Sequence, residues 1–186
     1  MKATTMINLK YALKIGLLIA SALTVGVGCG RPFDVKTSNG FVELENQAPD
    51  YDYRATTPDG VVMSIRAVDN TGTVGQRGDL GFWERAVTLE MRDVQGYALL
   101  DAKDVTSGDG TKGRQLKFGH DEDGKPYAYW VTIYLAQSRI FLVEAGGKKD
   151  LVERASPNLA YMAANVKVKC GGFLAPVLAS HTCNRW

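Results

Sequence analysis

Arg114–Ala145 reads RQLKFGHDEDGKPYAYWVTIYLAQSRIFLVEA, and its punctuation decides the fold. Three runs rich in β-branched and aromatic residues, Arg114–His120, Pro126–Ala136 and Arg139–Ala145, are separated by Asp121–Lys125 and by Gln137-Ser138. Asp123-Gly124 is a hairpin signal, because both residues tolerate the positive φ that a tight two-residue turn requires. Period-two alternation puts Tyr127, Tyr129, Val131, Ile133 and Leu135 on one face of the middle run. Ala128, Trp130, Thr132, Tyr134 and Ala136 take the other. Both faces are apolar. Such a strand either lies in a sheet covered on both sides or offers one face to a partner. Under the second reading Trp130, Tyr134, Tyr127 and Tyr129 are the candidate binding surface.

Working outward, Tyr97–Thr106 adds a fourth strand across the Gly-rich turn Ser107–Gly113, completing an antiparallel meander. Before it, Leu80, Trp83, Val87, Met91 and Val94 recur at helical spacing, with Asp79 placed to cap the start and Gly96 to end it. Asn70–Gly81 reads as a loop. Phe41–Asn46, Tyr51–Thr57 and Val61–Val68 alternate as strands. The last two flank Thr57-Pro58-Asp59-Gly60, a turn in which Pro presets φ and Gly supplies a positive one. After Gly146-Gly147 a closing helix begins near Lys148, with Leu151, Ala155, Leu159, Met162, Ala163 and Val166 on one side. Ser156-Pro157 predicts a break and restart within it. The order β-β-β-α-β-β-β-β-α is an α+β fold, one antiparallel β-sheet flanked by helices. The domain is expected over residues 41–169, with a polar spacer at 29–40 and a C-terminal tail at 170–186.

This order resembles the PsbP-like α/β/α sandwich, in its LpqN-type bacterial lipoprotein form. The residues that carry the resemblance are Gly96-Tyr97 after the first helix, Gly113 before Arg114–Phe118, and Tyr127–Leu135 with Tyr129 and Trp130. Ile140–Ala145, Gly146 and the closing helix complete it. The resemblance implies a domain that binds other proteins or assists assembly of a larger complex without catalysis. It transfers no site residue.

The first 28 residues add an address. Lys2, Lys10 and Lys14 precede Ile15–Gly28, IGLLIASALTVGVG, and Cys29 follows. A basic head, an apolar middle and a small-residue exit describe a secretory signal peptide. The apolar run is shorter than the roughly 20 residues of a membrane-spanning helix. An uncleaved anchor, simple secretion after Gly26-Val27-Gly28, and lipid attachment at Cys29 are the three fates. Thr24–Cys29 resembles a lipobox, with Gly26 standing where a bulky aliphatic residue is usual. Cysteine arithmetic favours the lipid. Of three Cys, an acylated Cys29 leaves Cys170 and Cys183 to pair as a disulfide, and no thiol is left over. The expectation is a bacterial cell-envelope protein, tethered to a membrane (the outer membrane) by its N-terminal lipid and facing the periplasm or exterior.

Charge and motifs then exclude function classes. The chain carries +2, and loss of the three signal lysines takes it to −1, which offers nucleic acid no electrostatic footprint. Gly108–Gly113 is a literal G-x-G-x-x-G, but it joins two strands instead of opening a helix, so it reads as a turn. Asp101, Asp104, Asp109 and Asp121-Glu122-Asp123 follow no calcium-loop spacing and read as solvated acidic turns. His120 and His181 lack the C-x-x-C or H-E-x-x-H companions of a zinc site, and no G-x-S-x-G elbow is present. No metal, no cofactor and no enzyme are expected. The expected role is a protein-interaction or assembly module with an envelope protein partner; capture of a small apolar ligand is the alternative.

Overall fold

A computed structural model describes residues 31–45, 50–70, 77–136 and 139–169. Cys29, Cys170, Cys183 and His181 lie outside the described residues. The strands are β1 (Phe33–Asp34), β2 (Val42–Glu43), β3 (Tyr53–Thr56), β4 (Val62–Asp69), β5 (Ala98–Thr106), β6 (Lys112–Glu122), β7 (Lys125–Ala136), β8 (Arg139–Lys148) and β9 (Lys167–Val168). Helix α1 spans Leu80–Leu89 and passes into a single π-helical turn, Glu90–Val94. Helix α2 spans Lys149–Ala164.

The local signals work as chemistry requires. Asp79 caps α1 by accepting from the Phe82 N–H at 2.7 Å. Gly96, at φ 73°, takes the left-handed turn that stops the helix. Asp123 and Gly124 both have positive φ, 51° and 71°, giving the tight β6–β7 turn. Thr57–Val61 closes the β3–β4 hairpin through a 2.9 Å Thr57 N–H to Val61 carbonyl bond.

The main sheet is antiparallel with order β2-β3-β4-β8-β7-β6-β5. The meander β5–β8 thus docks by its last strand on β4, and Ser64 stands opposite Glu144. Each face buries its own core. Under α1 lie Leu116, Phe118, Val131, Ile133, Ile140 and Leu142, with Met91 from the helical turn. Under α2 lie Tyr53, Met63, Ile65, Tyr134, Phe141 and Val143, with Val152, Leu159 and Met162 from the helix. The doubly apolar β7 is therefore a strand covered on both sides.

Two sequence expectations are corrected. Arg31–Gly40 is part of the fold and not a spacer: Phe33 is buried edge-on against Phe141, and β1 pairs with β9. Helix α2 does not break at Ser156-Pro157. Pro157 sits on the exposed side, where the Glu153 carbonyl it leaves without an amide partner can turn to water. Val152 and Leu159, buried on either side of it, hold the helix on the sheet.

Candidate functional site

Among the described residues each helix covers only half of its face, and the halves left uncovered are diagonal to one another. Helix α1 packs on β6 and β7, and α2 packs on β7 and β8. On the α1 face the cross-strand row Arg54, Ser64, Glu144, Val131, Leu116, Ala102 runs from the open half to the covered half. The row is apolar where the helix lies on it and polar where none does.

The open half forms a cleft of about 410 Å³ lined by Tyr51, Arg54, Val62, Ser64, Tyr129, Glu144 and backbone at Gly60, Gly146 and Gly147. Tyr129 faces Gly146 across the ladder, and a Cβ at Gly146 would sit 2.8 Å from the tyrosine ring. Glycine is what lets that ring lie flat across β8 and wall the cleft.

Glu144 is the centre of this cleft. It is 6% exposed, and the Arg66 guanidinium reaches its Oε1 at 3.2 Å. The same guanidinium lies 5.9 Å over the Tyr51 ring. Burial pushes the Glu144 pKa up, and Arg66 with the Tyr129 and Tyr51 hydroxyls lowers it without cancelling that rise. Oε2 is buried and closes no hydrogen bond of good geometry with a described residue, although the Tyr129 and Tyr51 hydroxyls lie near enough to favour its charge. A buried acceptor left open costs on the order of 1–3 kcal/mol, more when charged. That open acceptor weighs against the Arg66 pair in the fold's stability. The Tyr51 and Tyr129 hydroxyls are themselves held above the usual phenol range, first by burial and then by the Glu144 charge, so they act as neutral donors at the cleft.

The diagonal opening, on the α2 face over β5 and β6, is a groove of about 240 Å³ lined by Leu100, Lys117, Tyr127, Trp130 and, from α2, Lys149 and Glu153. Lys117 holds its ammonium 4.3 Å over the Trp130 ring, a cation–π contact.

The four aromatic candidates from the sequence are thus divided among three places. Tyr129 walls the Glu144 cleft, and Trp130 and Tyr127 line the smaller groove. Tyr134 is corrected: it is 2% exposed, and its hydroxyl donates to the Ala163 carbonyl at 3.0 Å. It is a core residue that ties β7 to α2, and burial pushes its hydroxyl up to about 12.

Asp109 is also corrected from a solvated turn to a partly buried hub. It accepts from the Ser107 hydroxyl, from Thr111 N–H and Oγ1 at 3.0 and 2.7 Å, and from Val168 N–H at 2.9 Å. Burial raises its pKa, but these hydrogen bonds outweigh it and hold the carboxyl below its usual range. The G-x-G-x-x-G segment is the turn around this hub. His120 is a satisfied histidine, its Nδ1 3.0 Å from the Gly96 carbonyl. Glu144 itself was missed by sequence reasoning. Its only mark was one carboxylate inside the apolar run Ile140–Ala145.

No family model matches the chain, and no curated protein matches its sequence. Among solved structures it is similar to LpqN of Mycobacterium tuberculosis, a protein involved in cell envelope biogenesis. That likeness has a TM-score of 0.59 and 14% identity, and covers 74% of this chain and 83% of LpqN. The fold is that of LpqN. It is the PsbP-like α+β architecture that the order of elements predicts. The chain is also similar to the cyanobacterial PsbP of Synechocystis, with a TM-score of 0.48, 13% identity, and coverage of 77% and 95%. The identity to LpqN carries the scaffold and no site, so the Glu144 cleft rests on this chain's own residues.

Proposed function

We propose that this chain is a cell-envelope lipoprotein whose domain is a non-catalytic docking module, held at a membrane by acylated Cys29 and engaging an envelope protein through the Glu144 cleft. The observation that carries the reading is the polar half of the α1 face that no described helix covers, where a buried carboxylate keeps an oxygen with no well-formed hydrogen bond to a described residue. The LpqN fold and the signal-like first 28 residues support the envelope address. Cys170 and Cys183 are proposed to pair and fasten the tail. One acyl chain binds membranes only marginally, so stable anchoring requires more than one.

The test is a photo-crosslinker placed at Val62, in the cleft, and at Lys125, on the β6–β7 turn, in cells. The Val62 probe is expected to trap one discrete envelope protein that the Lys125 probe does not. Equal patterns from the two positions would remove the cleft from the account. For the anchor, Cys29→Ser is expected to release the protein from the membrane fraction and to remove an acyl mass from the intact protein.

Small-ligand capture is the second reading, and the cleft volume favours it, since small-molecule sites run from about 300 to 1,000 Å³. The polar lining of Arg54, Ser64 and Glu144 matches a polar ligand better than the apolar one expected from sequence.

A further inference from the structure

The two edges of the main sheet are unequal. β2 closes one side with two residues, Val42–Glu43, whereas β5 closes the other with nine, Ala98–Thr106. Among the described residues no strand pairs with the outer side of β5. A long unpaired edge offers its backbone N–H and C=O groups to another strand. Asp101 and Lys103 lie on this edge, and neither forms an ion pair with a described residue, whereas Asp104 is bound to Arg114 at 2.9 Å. Leu99 and Leu100 are exposed beside them.

From this we infer that β5 is a self-association edge, pairing antiparallel with β5 of a second copy about a two-fold axis through Ala102. Ala102 is the middle residue of the strand, so this register spans it, with Asp101–Lys103 pairing regularly and Asp104–Thr106 meeting the bulged Ala98–Leu100 of the second copy. It sets Asp101 against Lys103 of the second copy, and Lys103 against Asp101, on one face of the joined sheet. It also sets Leu99 against Val105. A two-fold axis at Asp101, Lys103 or Asp104 would instead place each of those charges opposite itself, which is destabilising. Charge thus favours a second copy as the occupant, since its Lys103 and Asp101 meet their opposites, and disfavours a two-fold at any of the three charged positions. The bulge between Leu99 and Asp101 is a device that protects edges, but it leaves Asp101–Thr106 regular. The joined sheet would run continuously through two copies and keep both Glu144 clefts open, because they lie at the far halves.

The test is sedimentation equilibrium of the full chain in detergent, with circular dichroism to confirm the fold of each variant. The wild-type chain is expected to dimerise. Asp101→Lys alone, or Lys103→Asp alone, puts like charges opposite one another twice per dimer and is expected to raise the dissociation constant about tenfold. Asp101→Lys with Lys103→Asp is expected to restore it. A wild-type chain that stays monomeric, single variants that associate as well as wild type, or a double variant no better than the singles would each overturn the inference.

Discussion

Glu144 is buried in the sheet beside Arg66, where ionisation costs more than it does in the unfolded chain. Its folded pKa is raised, first by burial, against the partial compensation of Arg66. An acid that holds its proton more tightly when folded contributes stability below its unfolded pKa, and loses that contribution as pH rises through the folded value. Glu144→Gln is therefore expected to raise Tm at pH 7 and to flatten the decline in stability above about pH 4.3, the usual Glu value. Asp109 has the opposite sign. Its lowered pKa means that its contribution is present above the usual Asp value and is lost as pH falls through the folded one. Asp109→Ala removes the acceptor for Thr111 and Val168, and is expected to cost about 2 kcal/mol in denaturant unfolding while weakening the acid dependence. Tyr134→Phe deletes one buried hydrogen bond, to Ala163, with an expected loss of about 1 kcal/mol.

At the scale of elements, the turns were the most legible part of the sequence, because Pro58-Asp59-Gly60 and Asp123-Gly124 act through φ alone, and φ is a local matter. The helix at Leu80–Leu89 was legible from its stripe, and its cap from Asp79. What escaped was non-local. β1 and β9 are two-residue strands that exist only because they meet each other, far apart in sequence, and two residues carry no period. The staple at the start of α1 escaped for the same reason. Asn70, read as loop, is 1% exposed and bonds Gly78 and the Trp83 indole N–H at 2.9 Å. Pro157 shows packing overriding a local rule. The helix continues through it, so Pro157→Ala, which restores the amide that Pro lacks, is expected to stabilise α2 by about 1–3 kcal/mol. Thermal unfolding of the variant reads this directly.

At the scale of the whole molecule, the two α-helices among the described residues do not cover both faces of a seven-stranded sheet, and what they leave bare supplies the candidate surfaces. The sequence announced a doubly apolar β7, with a covered sheet as one of its two readings, but not which half of each face the described helices would leave open. That depended on β8 docking against β4, a pairing set by registers no single stretch contains. The aromatic residues drew attention in the sequence, yet the strongest of them by burial, Tyr134, is structural. Among the described residues the carboxylate with a buried oxygen left open is Glu144, and its partner Arg66 leaves a buried Nε open beside it. The same layout separates the two proposed surfaces in space, with the Glu144 cleft toward β3 and β4 and the β5 edge, unpaired among the described residues, at the opposite side.

The central claim is that Glu144 is kept for binding at a cost to folding. The measurement that tests it most directly is affinity for the trapped envelope protein, compared between wild type and Glu144→Gln, with Tm recorded on the same samples. The account predicts binding at least about tenfold weaker, as expected when a charged hydrogen-bonding group is lost, with a Tm equal to or above wild type. Undiminished binding, or weaker binding that merely follows a lower Tm, would contradict it.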